Sequence, residues 1–381
     1  MEYKWDCLWF SGYKPCKFKR TCEACPYYTR PEKRIAIVSL EAMGAVLRST
    51  CLLPPLLRKY PSAHVTWITL PMNESLLRHN PFIHKIFFIE PKSVFALLKL
   101  KFDILYVVDK STEAGGVAEL VQADEKFGLG LTELGAIRPL SPQADYQFAL
   151  GLDDQLKFFK NQKPETQQIT ETMGLEWKRD EYILELEEKE KIESLNRKIS
   201  LSSVVDKKVD GIIGYNTGCS PLYSYKKFTI DQATHMIKMW RVKFPSYVVA
   251  LLGGGPEDKA RQVLMKERFS DDPMVVSTPT DEGMRSGLIW VDACDLIFSG
   301  CSLGMHMGIA LKKPMIAWFG VSCSQEVDLY DRGVKLVAEV SCTPCWRRSC
   351  ENTPKCYDSV SVSRIEEATK KLLNQLQPLS T

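Results

Sequence analysis

The sequence predicts a two-domain α/β protein, each domain a mostly parallel, doubly wound sheet, with a cysteine-rich N-terminal extension. Three observations lead there. Short apolar segments alternate with helical patterns, as βαβ units require. Two such series flank a stretch, about residues 153–206, that is rich in Lys, Glu and Gln and poor in strand signals. The length of 381 residues exceeds one ordinary core and accommodates two.

Composition agrees with this class. Hydrophobic residues make up 45% and charged residues 25%, as in soluble globular proteins. The net charge of +3 does not point to nucleic acid as a partner. The basic residues within 14–20 and at Arg347 and Arg348 read as solvated surface, with a local basic face as the alternative. No run approaches the roughly 18–20 apolar residues of a membrane-spanning helix. The start, MEYKWDCLWF, is not expected to act as a signal peptide, because no basic residues precede an apolar run. A cytoplasmic location is expected, with peripheral contact at the inner membrane left open for the basic and aromatic surface.

Along the chain, residues 34–40 read as a buried strand entering a loop at Gly44, and a helical pattern then runs through Leu47, Leu53, Leu56 and Leu57. Further strands are expected at 64–69, 86–89 and 102–108, the last ending at Asp109 and Lys110. Residues 181–201 read as a charged, mostly solvated connector. The second series has strands at 211–216, 247–252, 295–299 and 314–319, a helix at 230–244 and a final helix at 363–377. The expected division is an extension over 1–33, a first domain over 34–180, a linker over 181–206, a second domain over 207–360 and a C-terminal helix over 361–381.

Parallel α/β domains bind ligands beyond the carboxyl ends of their strands. There the second series places Gly253, Gly254 and Gly255, which let a backbone approach a ligand, and Glu257, within reach of a ribose hydroxyl pair. Thr217 and Ser220 offer donors after the 211–216 strand, and Lys226 and Lys227 can neutralise a pyrophosphate. Ser302, Leu303, Gly304 and His306 follow another strand and open a helix whose free N–H groups suit an anion. Plainer readings stand beside these: a glycine turn as a packing solution, and His306 as a satisfied core histidine.

Residues 39–61 (SLEAMGAVLRSTCLLPPLLRKYP), followed by His64 to Trp67, resemble the first βα unit of glycosyltransferase family 9, the ADP-heptose–lipopolysaccharide heptosyltransferases. Residues 80–83 are similar to that family's next loop. GYNTGCSPLYSYKKF, LLGGGPE and SGCSLGMHMGIALKKPMIAWFG resemble its donor-domain signatures in the same order. The resemblance implies a GT-B architecture of two facing Rossmann-like domains with a cleft between them. The acceptor, lipopolysaccharide or another cell-envelope glycan, would sit mostly on the first domain. An ADP-heptose-like nucleotide-diphosphate sugar would sit on the second. It further implies inverting transfer without a catalytic metal or other cofactor, and a C-terminal helix that crosses back to the first domain. A first-loop carboxylate would be the general base, and lysine and helix N-terminal donors would stabilise the leaving diphosphate. Thr217 and Lys226 match phosphate contacts, Glu257 the nucleoside position, and Ser302, Leu303, Gly304 and His306 the donor loop.

Two departures from the family pattern bear on activity. The first loop, normally Gly-Asp, reads Gly44-Ala45, and alanine accepts no proton. The donor loop normally carries Asp before Ser, and Cys301 stands there instead. Glu41 is the candidate substitute base, the alternative being a solvated or salt-bridged loop residue. Two functions therefore remain open: a heptosyltransferase of altered mechanism, or a degenerate member that binds nucleotide sugar or glycan without turnover, with a metal- or redox-responsive cysteine site as a further element.

Thirteen cysteines are many for a reducing compartment, and eight of them fall in two groups. Cys342, Cys345, Cys350 and Cys356 form one, and Cys7, Cys16, Cys22 and Cys25 the other. Four close thiolates suit Zn²⁺ or an iron–sulfur cluster in a structural role. The spacings match neither a common zinc ribbon nor a standard ferredoxin run, so the metal stays undecided, and free thiols are the alternative.

Overall fold

A computed structural model describes residues 2–206 and 208–376. The chain divides into two compact units. The first contains a six-stranded sheet of β1 (Arg34–Val38), β2 (His64–Thr69), β3 (Lys85–Phe88), β4 (Lys101–Val107), β5 (Gln122–Leu131) and β6 (Ile137–Pro139), in the order β3-β2-β1-β4-β5-β6. β1 to β5 are parallel, and β6 returns antiparallel to β5. The second unit contains β7 (Gly211–Asn216), β8 (Tyr247–Leu252), β9 (Val275–Ser277), β10 (Leu296–Gly300), β11 (Met315–Phe319) and β12 (Gly333–Val337), all parallel, in the order β12-β11-β10-β7-β8-β9.

Both sheets thus follow the doubly wound order. The chain reverses direction of travel between β1 and β4, and again between β7 and β10, which opens a crevice at each switch point. The central strands are apolar throughout because helices cover both faces. β2, β8 and β11 are buried along their whole length. In the second unit Tyr215, Phe228, Trp240, Phe298 and Trp318 form one aromatic core, and the Trp240 indole donates to Thr369 Oγ1 at 3.0 Å.

The main strands of both series lie within a residue or two of the expected positions. β5, β6, β9 and β12 were not anticipated. β5, QADEKFGLGL, is polar along much of its length, and β9 spans only three residues, so neither presents the apolar run of a central strand.

The domain boundaries differ from expectation. The first unit comprises the chain through Glu41, Cys51–Leu152 and Gln167–Asp180, whereas Ala42–Thr50 and Asp153–Thr166 group with the second. The expected linker is largely the helix Glu188–Ser202, packed on the helix Met284–Ala293. Arg285 pairs there with Glu190, and the Arg197 guanidinium lies 4.5 Å from the Trp290 ring centre. Glu190 and Arg197 are thus committed to packing, while Glu188, Lys189 and Lys191 stay exposed, as expected of a charged, mostly solvated connector. The terminal helix Val362–Leu376 also belongs to the second unit, where it packs on the helix Ile230–Lys243, β11 and β12, because Ile365, Ala368, Leu372 and Leu373 bury one face. The expected crossing segment extended to residue 381, and Gln377 and the residues after it lie outside the described residues.

Candidate functional site

At the second switch point Asn216 ends β7, and its side-chain amide donates to Gly218 O at 2.9 Å, Ser299 Oγ at 3.0 Å and Ser302 Oγ at 2.9 Å. One amide therefore ties the ends of β7 and β10 to the start of the helix Leu303–Ala310. Gly304 is required for that approach, since a Cβ there would lie 2.5 Å from Asn216 Cγ. Ser302 is thus occupied by Asn216, and it makes no side-chain cap to its own helix. Leu303, which opens that helix, is part-buried.

The turn Pro221–Lys226 follows β7 and delivers Lys226 beside Gly300, the last residue of β10. A Cβ at Gly300 would collide with the Lys226 carbonyl oxygen. The Lys226 ammonium lies 4.1 Å from the Trp346 ring centre and 4.8 Å from that of Tyr223. Among the described residues it has no carboxylate partner. Two aromatic faces hold the cation by attraction to their π electrons, which leaves its charge available to a ligand. Lys227, by contrast, pairs with Glu257. The two expected ligands are therefore brought together, but each is the other's counter-ion.

Other expected donor residues have local roles. Thr217 is buried, and its hydroxyl donates to Leu252 O at 2.9 Å, joining the ends of β7 and β8. That hydroxyl, expected at a phosphate, here faces a backbone carbonyl. Ser220 is exposed and caps the Pro221–Lys226 turn by accepting from Leu222 N at 3.4 Å. Of the three glycines, Gly255 is required by its φ of 89° and Gly253 by Asp258, whose Cβ would lie 2.7 Å from an added Cβ. Gly254 faces open space without a positive φ, and its N–H donates to Asp258 Oδ2 at 2.9 Å. Burial raises the Asp258 carboxyl above its usual range. Arg261 donates to Thr217 O at 3.1 Å and Phe228 O at 2.8 Å, clamping both sides of the lysine turn. Asp258 and Arg261 carried no motif signal; Asn216 lies within GYNTGCSPLYSYKKF, but its partners Ser299 and Ser302 are remote in sequence.

His306 is a buried residue, as the plainer of its two readings has it. Its Nδ1 lies 3.2 Å from the Tyr182 hydroxyl, and Gly44 packs on its ring so closely that a Cβ would lie 2.7 Å from Cδ2. Burial drives its pKa down to about 3, so it is neutral at physiological pH. Gly44 belongs to the helix Met43–Ser49, whose Arg48 pairs with Glu165.

Glu326 is buried, with Lys157 Nζ 3.8 Å away. Burial and the nearby Glu165 charge raise its pKa to about 7, against the opposing pull of Lys157 and Arg48. Between pH 4.5 and about 7 the folded protein holds a proton that the unfolded chain releases. This contribution to stability is full below pH 4.5 and is lost as pH rises through 7. Glu326→Gln should flatten the fall in melting temperature between pH 5 and pH 8, measured by calorimetry; an unchanged fall removes Glu326 as its source.

In the first unit, Asp109 closes the β1–β4 switch point. It accepts from Ser39 Oγ at 3.2 Å, from Glu41 N at 3.1 Å and from Leu40 N. The carboxylate on this loop is therefore engaged by backbone, while the Glu41 side chain is exposed.

All thirteen cysteines are free thiols. Cys342, Cys345, Cys350 and Cys356 line one cavity of about 210 Å³. Cys7, Cys16, Cys22 and Cys25 line another of about 20 Å³, among Trp9, Phe10, Phe18 and Tyr27. Each group expected from sequence is thus gathered around one space. In neither group do three of the sulfurs lie within 4.8 Å of one another, so the thiols share a space without standing at metal-ligand spacing.

No protein-family model matches the chain, and no curated protein sequence matches it. Solved structures do. A glycosyl transferase family 9 protein from Veillonella parvula is 17% identical with a TM-score of 0.68, covering 91% of this chain and 99% of its own. The E. coli ADP-heptose LPS heptosyltransferase II is 18% identical with a TM-score of 0.65, covering 91% of this chain and 100% of its own. The iron-containing dodecameric glycosyltransferase TibC of E. coli is 9% identical with a TM-score of 0.52, covering 91% of this chain and 77% of its own. The fold is therefore the GT-B fold of these proteins.

Proposed function

We propose that this protein is a glycosyltransferase of the heptosyltransferase type, taking an ADP-heptose-like nucleotide-diphosphate sugar on its second unit. The observation that carries this reading is Lys226: an ammonium without a carboxylate partner among the described residues, set beside the carboxyl end of β10 at a switch point. The solved structures sharing the fold include an ADP-heptose LPS heptosyltransferase, which supports the same donor class. The acceptor would be lipopolysaccharide or another cell-envelope glycan, met in the cytoplasm or at the inner membrane. No helix among the described residues is long and apolar enough to cross a membrane.

In the reaction the acceptor hydroxyl attacks the anomeric carbon with inversion and the bond to the diphosphate oxygen breaks. The nucleoside diphosphate leaves with the electron pair, and the hydroxyl proton passes to a base. Lys226 stabilises the charge that builds on the departing diphosphate. Ala45 supplies no base, and Glu41, exposed on the same loop, is the residue proposed to take that proton. No catalytic metal is invoked; the cysteine groups are proposed as structural Zn or iron–sulfur sites, and TibC, of the same fold, is iron-containing.

Alanine at 45 and cysteine at 301 favour a second reading, a protein that binds the nucleotide sugar without turnover. Incubation with ADP-heptose and lipopolysaccharide core acceptor separates the two. Catalysis predicts ADP release that is lost, at least about 100-fold, in Glu41→Gln. ADP binding without release establishes the binding protein, and the absence of both removes the proposal.

A further inference from the structure

Lys157 and Glu326 belong to the second unit, close to the residues that hold Lys226, and neither has a part in the transfer reaction. We propose that Lys157 is a second diphosphate-binding cation, acting with Lys226 around the ring of Trp346, and that the buried Glu326 carboxyl sets how much of its charge reaches the ligand. The inference rests on the reading that Lys226 receives the diphosphate.

The two ammoniums share one aromatic ring. Lys226 Nζ lies 4.1 Å and Lys157 Nζ 5.3 Å from the Trp346 ring centre. The ring attracts each cation but does not cancel the repulsion between them. An anion carrying two or more charges does, and a diphosphate is such an anion. Backbone contacts fix both sides of this arrangement. Trp346 N donates to Val321 O at 2.9 Å, two residues past the end of β11. Trp346 also adopts a φ of 49°, a left-handed conformation uncommon for a bulky residue. Lys157 lies on the turn Leu156–Lys160. The Gln325 side-chain amide donates to Lys157 O at 3.3 Å and Phe158 O at 3.1 Å, which ties that turn to the residue before Glu326. The two lysines thus meet at the carboxyl ends of β10 and β11, where parallel sheets bind ligands.

The charges around Glu326 leave Lys157 incompletely neutralised. Arg48 and Glu165 pair with each other, and Glu326 is the carboxyl facing Lys157, at 3.8 Å. The Lys157 side chain is 29% exposed and that of Glu326 5%, so a ligand meets the ammonium first. Burial and the Glu165 charge push the Glu326 carboxyl up to about 7, against Lys157 and Arg48. Burial pushes the neighbouring Cys323 thiol up to about 12, so it stays neutral. A lysine that served only to balance Glu326 would hold that carboxyl low. Below pH 7 Glu326 is protonated and Lys157 presents its full charge. Above pH 7 the carboxylate withholds part of that charge. A bound diphosphate adds negative charge nearby and favours the protonated carboxyl, so binding near pH 7 takes up a proton.

The test is calorimetric titration of the full-length protein with ADP and, separately, with inorganic pyrophosphate, at pH 6 and pH 8. Lys157→Gln should weaken both ligands about three- to tenfold at pH 6, whereas Lys157→Arg, which keeps the charge, should retain most of the affinity. Glu326→Gln should match the wild type at pH 6 and bind about three- to tenfold more tightly at pH 8, a comparison in which the ligand's own titration cancels. Titrations at about pH 7.5 in buffers of different ionisation enthalpy should show proton uptake by the wild type and none by Glu326→Gln. Affinity unchanged by Lys157→Gln but lowered by Lys226→Ala overturns the inference and leaves the donor reading standing. Equal affinities of wild type and Glu326→Gln at pH 8 overturn the role of Glu326 without relying on any lysine variant. Pyrophosphate binding that needs Lys157, in a protein that does not bind ADP, upholds the inference and removes the nucleotide reading. Binding of neither ligand overturns both.

Discussion

Lys226→Ala is expected to weaken ADP binding by about 10- to 100-fold with little change in melting temperature, since a hydrogen bond to a charged group contributes about 1.5–3 kcal/mol. The reason lies in how the charge is held. Aromatic faces orient the Lys226 ammonium without neutralising it, and no carboxylate competes for it among the described residues. Lys227, one residue on, has an identical side chain but is already paired with Glu257, so Lys227→Ala should cost less affinity. Calorimetric titration of both variants with ADP checks the order. Equal losses, or a larger one for Lys227, would place the phosphates elsewhere.

Gly300→Ala is expected to damage stability and binding together. A Cβ at this position would run into the carbonyl oxygen of Lys226 and approach the Trp318 indole nitrogen to 3.0 Å. Neither neighbour is a flexible chain end: one is backbone and the other is a fully packed ring. The turn must therefore move, at a cost of about 1–3 kcal/mol for overpacking, seen as a fall of several degrees in the melting temperature. Because the displaced backbone carries Lys226, ADP affinity should fall by at least about tenfold as well. Gly254→Ala is the matched control. It faces open space, and its stability should stay at the wild-type level. A Gly300→Ala protein with normal melting and normal ADP affinity would show that the turn is not seated on β10 as described.

Much of the fold was legible because buried parallel strands write themselves as apolar runs. β2, β7 and β8 are found where HVTWIT, GIIGYN and YVVALL stand. β5 was not legible, because QADEKFGLGL carries charge on a strand next to the sheet margin, where only part of each face is covered. Of the two readings open for the glycine turn, packing accounts for Gly253 and Gly255, which answer to Asp258 and to a φ of 89°. His306 was legible as a histidine after a strand, but not as the partner of Tyr182 and Gly44, which lie 124 and 262 positions away.

Composition and local pattern alone thus established two doubly wound units, loops at the carboxyl ends of the second series, and two groups of four thiols. These depend on neighbours along the chain, where periodicity and spacing act. Tertiary contacts decided which polar groups are spent and which are free. Asn216 is committed to Ser299 and Ser302, Thr217 to Leu252, Asp109 to the first loop, and Lys227 to Glu257. Lys226 is left with its charge uncommitted among the described residues. A side chain's chemistry is written in its residue type, but its availability depends on the partners that folding brings within hydrogen-bonding distance.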